Sequence, residues 1–199
     1  MNMMMPSFVK SRARRAGALA LVTALATLPF GSGCGRVQDD NSSAFLIVGS
    51  LEAASGATPG TLSGVLASDV QTKGGIFEDP GSVHFVLGLK NSTITAPTSA
   101  NFITVTGYHV VFARADGGPV PAAFDGALTV TVNDTGATGG FVLVPASAKT
   151  VAPLNSLVGT LTEIQTIATV TFFGKDQAGH AVQATATISV NFADWGDPA

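Results

Sequence analysis

The chain has 199 residues, 46% of them hydrophobic and 12% charged, with 10 Lys and Arg against 13 Asp and Glu for a net charge of −3. An acidic balance excludes the broad basic surface that nucleic acid selects, and a single cysteine, Cys34, excludes an internal disulfide. The length allows one sizeable domain held together by burial alone.

In chain order, the first element is a basic start followed by an uncharged apolar run. Lys10, Arg12, Arg14 and Arg15 form a basic start, and residues 16–30 then run fifteen positions without a charge. A helix needs about 20 apolar residues to cross a bilayer, so this run is too short to span one. A basic start, a short apolar middle and the small residues Gly31, Ser32 and Gly33 fit a secretory signal. Ser32-Gly33-Cys34 after such a run resembles the lipobox of bacterial lipoproteins. Gly31 stands where that family usually carries Leu.

The resemblance implies that the Cys34 thiol receives a diacylglycerol, that the chain is cut just ahead of it, and that the new N-terminus is acylated. The expected organisation is a signal peptide at 1–33, a flexible tether at 34–43 and one domain at 44–199. The membrane is then a partner through the acyl chains on Cys34, each buried CH₂ contributing about 0.8 kcal/mol. The expected location is the bacterial cell envelope, facing the periplasm or the cell surface. Gly35, where enteric lipoproteins retained in the inner membrane carry Asp, favours the outer membrane. Past residue 33 the chain keeps six basic and all thirteen acidic residues, a net charge of −7. The acyl group, not charge, is therefore expected to hold it to lipid.

The rest reads as strands joined by turns rich in Gly, Pro and Asp. Ala44–Val48 is an apolar run expected as the first strand, 53–60 a loop, and Thr61–Val70 a second strand. Val83, Phe85, Leu87 and Leu89 alternate with His84, Val86 and Gly88, the period of a strand with one apolar face. Phe102–Arg114 is expected as a long strand, with Tyr108, Val110 and Phe112 on one face and Val105, His109 and Val111 on the other. Leu128, Val130 and Val132 alternate with Thr129 and Thr131; residues 133–140 turn, and Phe141–Val144 returns. Pro153 ahead of 154–158 and Gly159 after it suit a short helical turn.

The clearest signal is the last hairpin. Ala168, Val170 and Phe172 alternate with Thr169 and Thr171, residues 174–180 turn the chain, and Val182, Ala184, Ala186, Ile188, Val190 and Phe192 follow in strict alternation. One dry face and one Thr/Ser face is the pattern of an antiparallel sheet. Residues 171–180, Thr-Phe-Phe-Gly-Lys-Asp-Gln-Ala-Gly-His, resemble a hairpin of bacterial immunoglobulin-like and fibronectin-III-like domains, with His180 where Asn is usual. The expected fold is an all-β, antiparallel, immunoglobulin-like sandwich of about seven or eight strands.

No catalytic constellation accompanies this pattern. His84, His109 and His180 are far apart and match no metal-ligand spacing, and there is no nucleophile elbow or phosphate loop. Asp116, Asp125, Asp134 and Asp176 are single acids near Gly, where Asp bonds its own turn. No catalytic residue, metal or cofactor is expected, and no ligand-binding residue can be named. The reading is a non-catalytic structural or protein-interaction module with an envelope protein as a candidate partner. The alternative is ligand or glycan binding by end loops near Asp116–Pro121 and Trp195, the one Trp, whose expected place is a cap on the end of the sandwich.

Overall fold

The computed structural model describes residues 41–73, 75–93 and 95–195. The signal segment 1–33, Cys34 and most of the expected tether lie outside the described residues. Eight strands form the domain: β1 (Ala44–Ala53), β2 (Val65–Asp69), β3 (Asp79–Leu89), β4 (Ile103–Ala113), β5 (Phe124–Val132), β6 (Ala137–Val144), β7 (Ile164–Asp176) and β8 (Ala181–Ala193). Among the described residues, helical structure is confined to one turn of α-helix, α1 (Ala146–Lys149), and 3-10 turns at Ser99–Asn101 and Leu154–Leu157.

The strands divide into a three-stranded sheet in the order β1-β3-β6 and a five-stranded sheet in the order β2-β8-β7-β4-β5. The two pack face to face as a sandwich. Neighbours are antiparallel except β2 and β8, which pair in parallel from Val65 opposite Ser189 to Asp69 opposite Ala193. That one pair departs from the expected all-antiparallel sheet. β2 reaches β8 from the other sheet through residues 54–64, so no tight hairpin fixes it antiparallel.

Alternation along the strands builds the core. Val83 and Phe85 of β3, Val110 of β4, Val170 and Phe172 of β7 and Val190 and Phe192 of β8 are all fully buried. The sheets are joined through rings: Phe85 meets Phe172 edge-on at 5.0 Å, and Phe141 of β6 meets Phe172 at 5.5 Å and Tyr108 at 5.1 Å. Such contacts add about 0.5–1.5 kcal/mol each beyond area burial. The Tyr108 hydroxyl accepts a hydrogen bond from the Val142 amide of the facing sheet at 3.1 Å. Burial of this phenol pushes its pKa above the ordinary value.

Two sequence expectations are corrected in detail. Val105 is fully buried, on the same face as Tyr108 and Val110, because the register of β4 slips between Val105 and Gly107 against both β5 and β7. A bulge inserts one residue and reverses the side-chain phase from there on. The turn before β6 is also tighter than expected: it closes over Asn133–Gly136, with Gly136 at φ +79°, and β6 starts at Ala137.

Candidate functional site

Two clusters of paired polar and charged side chains lie at opposite ends of the sandwich. At the end where β8 finishes, Asp79 opens β3 with 0% of its side chain exposed, and Lys149 closes α1 with 1% exposed. Lys149 Nζ donates to Asp79 Oδ1 and to the Asp69 carbonyl, both at 2.8 Å. Asp79 Oδ1 also accepts from the Gly56 amide at 2.8 Å, and Oδ2 from the Ser68 hydroxyl at 2.5 Å. Burial is the largest influence on the Asp79 carboxyl and raises its pKa, against the opposing pull of Lys149, Ser68 and Gly56. Every polar atom of the pair has a partner within the fold. The sequence pattern gave no notice of it, with Asp79 in a turn region and Lys149 in an irregular stretch. One signal was present: Lys149 is the lone charge between Asp134 and Glu163.

Around this pair lie the features expected of end loops. The Asp69 carboxylate accepts from the Thr72 hydroxyl at 2.8 Å and from the Trp195 amide at 3.2 Å. Trp195 therefore sits where β2 and β8 end, with 39% of its surface exposed. The Asp116 carboxylate pairs with Arg114 and accepts from the Gly118 amide at 3.0 Å. Those hydrogen bonds, first the one from Arg114, hold its pKa below the usual carboxylate value. The 114–121 loop and Trp195 belong to the same end of the fold, and the depressions beside that loop are shallow and line with Arg114, Asp116, Glu163 and Gln165.

The opposite end is where β1 begins. Asp176, at the close of β7, accepts from the amides of Ala178 and His180 at 3.0 and 2.8 Å and pairs with His180 Nδ1 at 2.9 Å. Burial alone would raise its pKa, but the side-chain and backbone hydrogen bonds of His180 and one from Ser42 outweigh it and leave the value lowered. Ser43 is fixed too: its hydroxyl accepts from Asn101 Nδ2 at 2.6 Å, and its carbonyl from the Lys90 amide at 3.1 Å. Ser42 and Ser43, read from sequence as the end of the tether, are thus attached to the domain.

The three histidines are not brought together. His84 faces Thr138 at 3.2 Å, His109 pairs with Asp125 at 2.8 Å across β4 and β5, and His180 belongs to the Asp176 turn. Asp125 is therefore a strand residue with a cross-strand partner, not a turn acid. Among the described residues, no group of three or more His, Cys, Asp or Glu is placed to hold a metal ion. No helix among them is long and apolar enough to cross a membrane. No family model matches the chain, and no curated protein or solved structure matches it.

Proposed function

We propose that this chain is a lipid-anchored protein of the bacterial cell envelope, outside the cytoplasm, whose immunoglobulin-like sandwich plays a structural or protein-interaction role. The observation that carries the reading is the basic, then apolar, then Ser32-Gly33-Cys34 sequence, placed ten residues ahead of the first strand. Two features of the domain support it. The strand order, β1-β3-β6 facing β2-β8-β7-β4-β5, supports a Greek-key reading of the sandwich, with the parallel β2–β8 pair as this chain's departure from an all-antiparallel plan. The polar chemistry is also spent internally, with Lys149, Asp79, Asp176 and His180 paired to one another or to backbone. Sheet edges then offer docking surfaces, β1 and β6 on one sheet and β2 and β5 on the other.

Fractionation of cells producing the full chain tests the anchor. The native protein is expected in the membrane fraction, with Cys34→Ala released to the soluble fraction. Mass spectrometry of the purified native protein is expected to show a chain starting at an acylated Cys34. An intact Met1, an unmodified Cys34, or a Cys34→Ala variant that still sediments with membranes overturns the anchor.

A further inference from the structure

We propose that the outer face of the three-stranded sheet, around Phe45, Ile47 and Val86, rests on the bilayer that holds Cys34. The inference rests on the lipid-anchor reading and adds an orientation and a second membrane contact to it.

Phe45 and Ile47 of β1 point away from the core with 52% and 45% of their surfaces exposed, and Val86 of β3 stands beside Ile47 in register. They form one surface, not scattered residues. Gly88 lies opposite Phe45, and a Cβ there would come within 2.9 Å of Ile47 Cδ1. The glycine leaves the room in which Ile47 lies across the neighbouring strand. Lys90 closes the rim, its ammonium 5.0 Å from the centre of the Phe45 ring. Aromatic and branched aliphatic side chains edged by a lysine suit the boundary between acyl chains and headgroups.

The place of this surface identifies what covers it. Phe45 follows three positions after Ser42, which is fixed to the domain at the Asp176 turn, and Lys90 bonds the Ser43 carbonyl. The chain therefore leaves the domain at the same corner as the apolar surface. Cys34 and Ser42 are eight positions apart, with seven residues between them. Whatever their conformation, they span at most about 29 Å, while a domain of this size has a radius of gyration of about 15 Å. An anchor at Cys34 keeps that corner within about 29 Å of the lipid surface. The end of the sandwich at this corner exposes polar residues such as Gln177 and Thr98; the adjoining apolar surface is the sheet face.

The test uses the full chain, processed in a bacterial host and reconstituted into phosphatidylcholine–phosphatidylglycerol vesicles with or without acyl-brominated lipid. Phe45→Trp puts an indole on the proposed contact. The native Trp195 is an internal control, since it lies at the other end of β8, about 40 Å away for thirteen residues of strand. Thr187→Trp probes the outer face of the other sheet. Sedimentation with the vesicles reads the anchor, and quenching by brominated lipid reads the face. The expected result is a sedimenting chain that loses most of the indole emission added at position 45, with emission from positions 187 and 195 retained. A sedimenting chain whose position 45 is unquenched overturns this inference and leaves the anchor intact; blue-shifted but unquenched emission assigns the face to a second copy or another protein instead. Equal quenching at positions 45 and 187 also overturns it. A chain that does not sediment overturns both readings.

Discussion

Lys149 carries a full charge into the interior and meets it with two acceptors, Asp79 and the Asp69 carbonyl. Taking two ions out of water costs several kcal/mol each, which their attraction recovers only with good geometry and satisfied lone pairs. Here Ser68 and Gly56 complete the carboxylate. The pair ties together three pieces of chain with no other covalent or metallic link: the loop at Gly56, the β2–β3 region, and α1. Its value is therefore positional, and the two partners are expected to be strongly coupled. Asp79→Ala, which leaves a buried ammonium unpaired, should destabilise by about 3–5 kcal/mol. Lys149→Met should cost less than that, because the protonated Asp79 side chain keeps Ser68 and its raised pKa eases neutralisation. Combined with Asp79→Leu, Lys149→Met should recover part of the loss, since apolar replacement of a buried ion pair is near neutral while the Ser68 hydroxyl and Gly56 amide lose their acceptor. Urea unfolding of both single variants and the double variant checks this. Additive losses in the double variant would mean that the residues do not act as a pair.

At the scale of single strands, the bulge in β4 is the feature on which the packing of the five-stranded sheet turns. It shifts register against β5 and β7 at the same point, and Gly174 of β7 stands opposite Val105 there. A Cβ on Gly174 would come within 2.6 Å of the Thr104 carbonyl oxygen and 3.0 Å of the Val105 Cα, both backbone atoms of the bulged strand. Backbone held on two sides by ladders cannot step aside as a side chain can. Gly174→Ala is therefore expected to destabilise by roughly 1–3 kcal/mol, the usual cost of overfilling a packed site. Gly140→Ala, at a strand glycine with open space around it, should stay within about 0.5 kcal/mol. Thermal unfolding of the two variants, followed by far-UV circular dichroism, separates these outcomes.

The same bulge marks the boundary of what alternation can reveal. The β7–β8 hairpin was legible through 168–172 and 182–192, where the period of two runs unbroken and Gly179, at φ +90°, closes the turn, but β7 also takes in 164–167 and 174–176, the last three of which read as turn. β4 was legible as a strand but not in phase, since one inserted residue leaves composition unchanged and reverses every assignment behind it. The parallel β2 was legible as apolar chain, while its partner depended on a contact across more than 120 residues. The Asp79–Lys149 pair is separated by 70 residues and obeys no local period, so nothing in the sequence joins the two.

The described sandwich has one core and two dissimilar ends. The core rings of Phe85, Phe141, Tyr108 and Phe172 pass from sheet to sheet, so neither sheet keeps a buried face without the other. One end holds the charge pair, the Arg114–Asp116 loop and Trp195; the other fixes the chain at Ser42 and Ser43. With a single cysteine, no disulfide joins the ends. If burial between the sheets is the only cohesion, the ends cannot melt separately, and a domain of this size should unfold in one transition. Trp195 in the native chain reports one end, and the Phe45→Trp variant adds a probe at the other. In urea both indoles are expected to give the same midpoint and slope as far-UV circular dichroism, unchanged by reductant. An earlier midpoint at Trp195 would show that β2, the short edge strand whose last residue bonds the Trp195 amide, is released before the core opens. The sandwich would then be a seven-stranded core with a detachable edge, and β8 would join β5 as an edge of that sheet open to a partner strand.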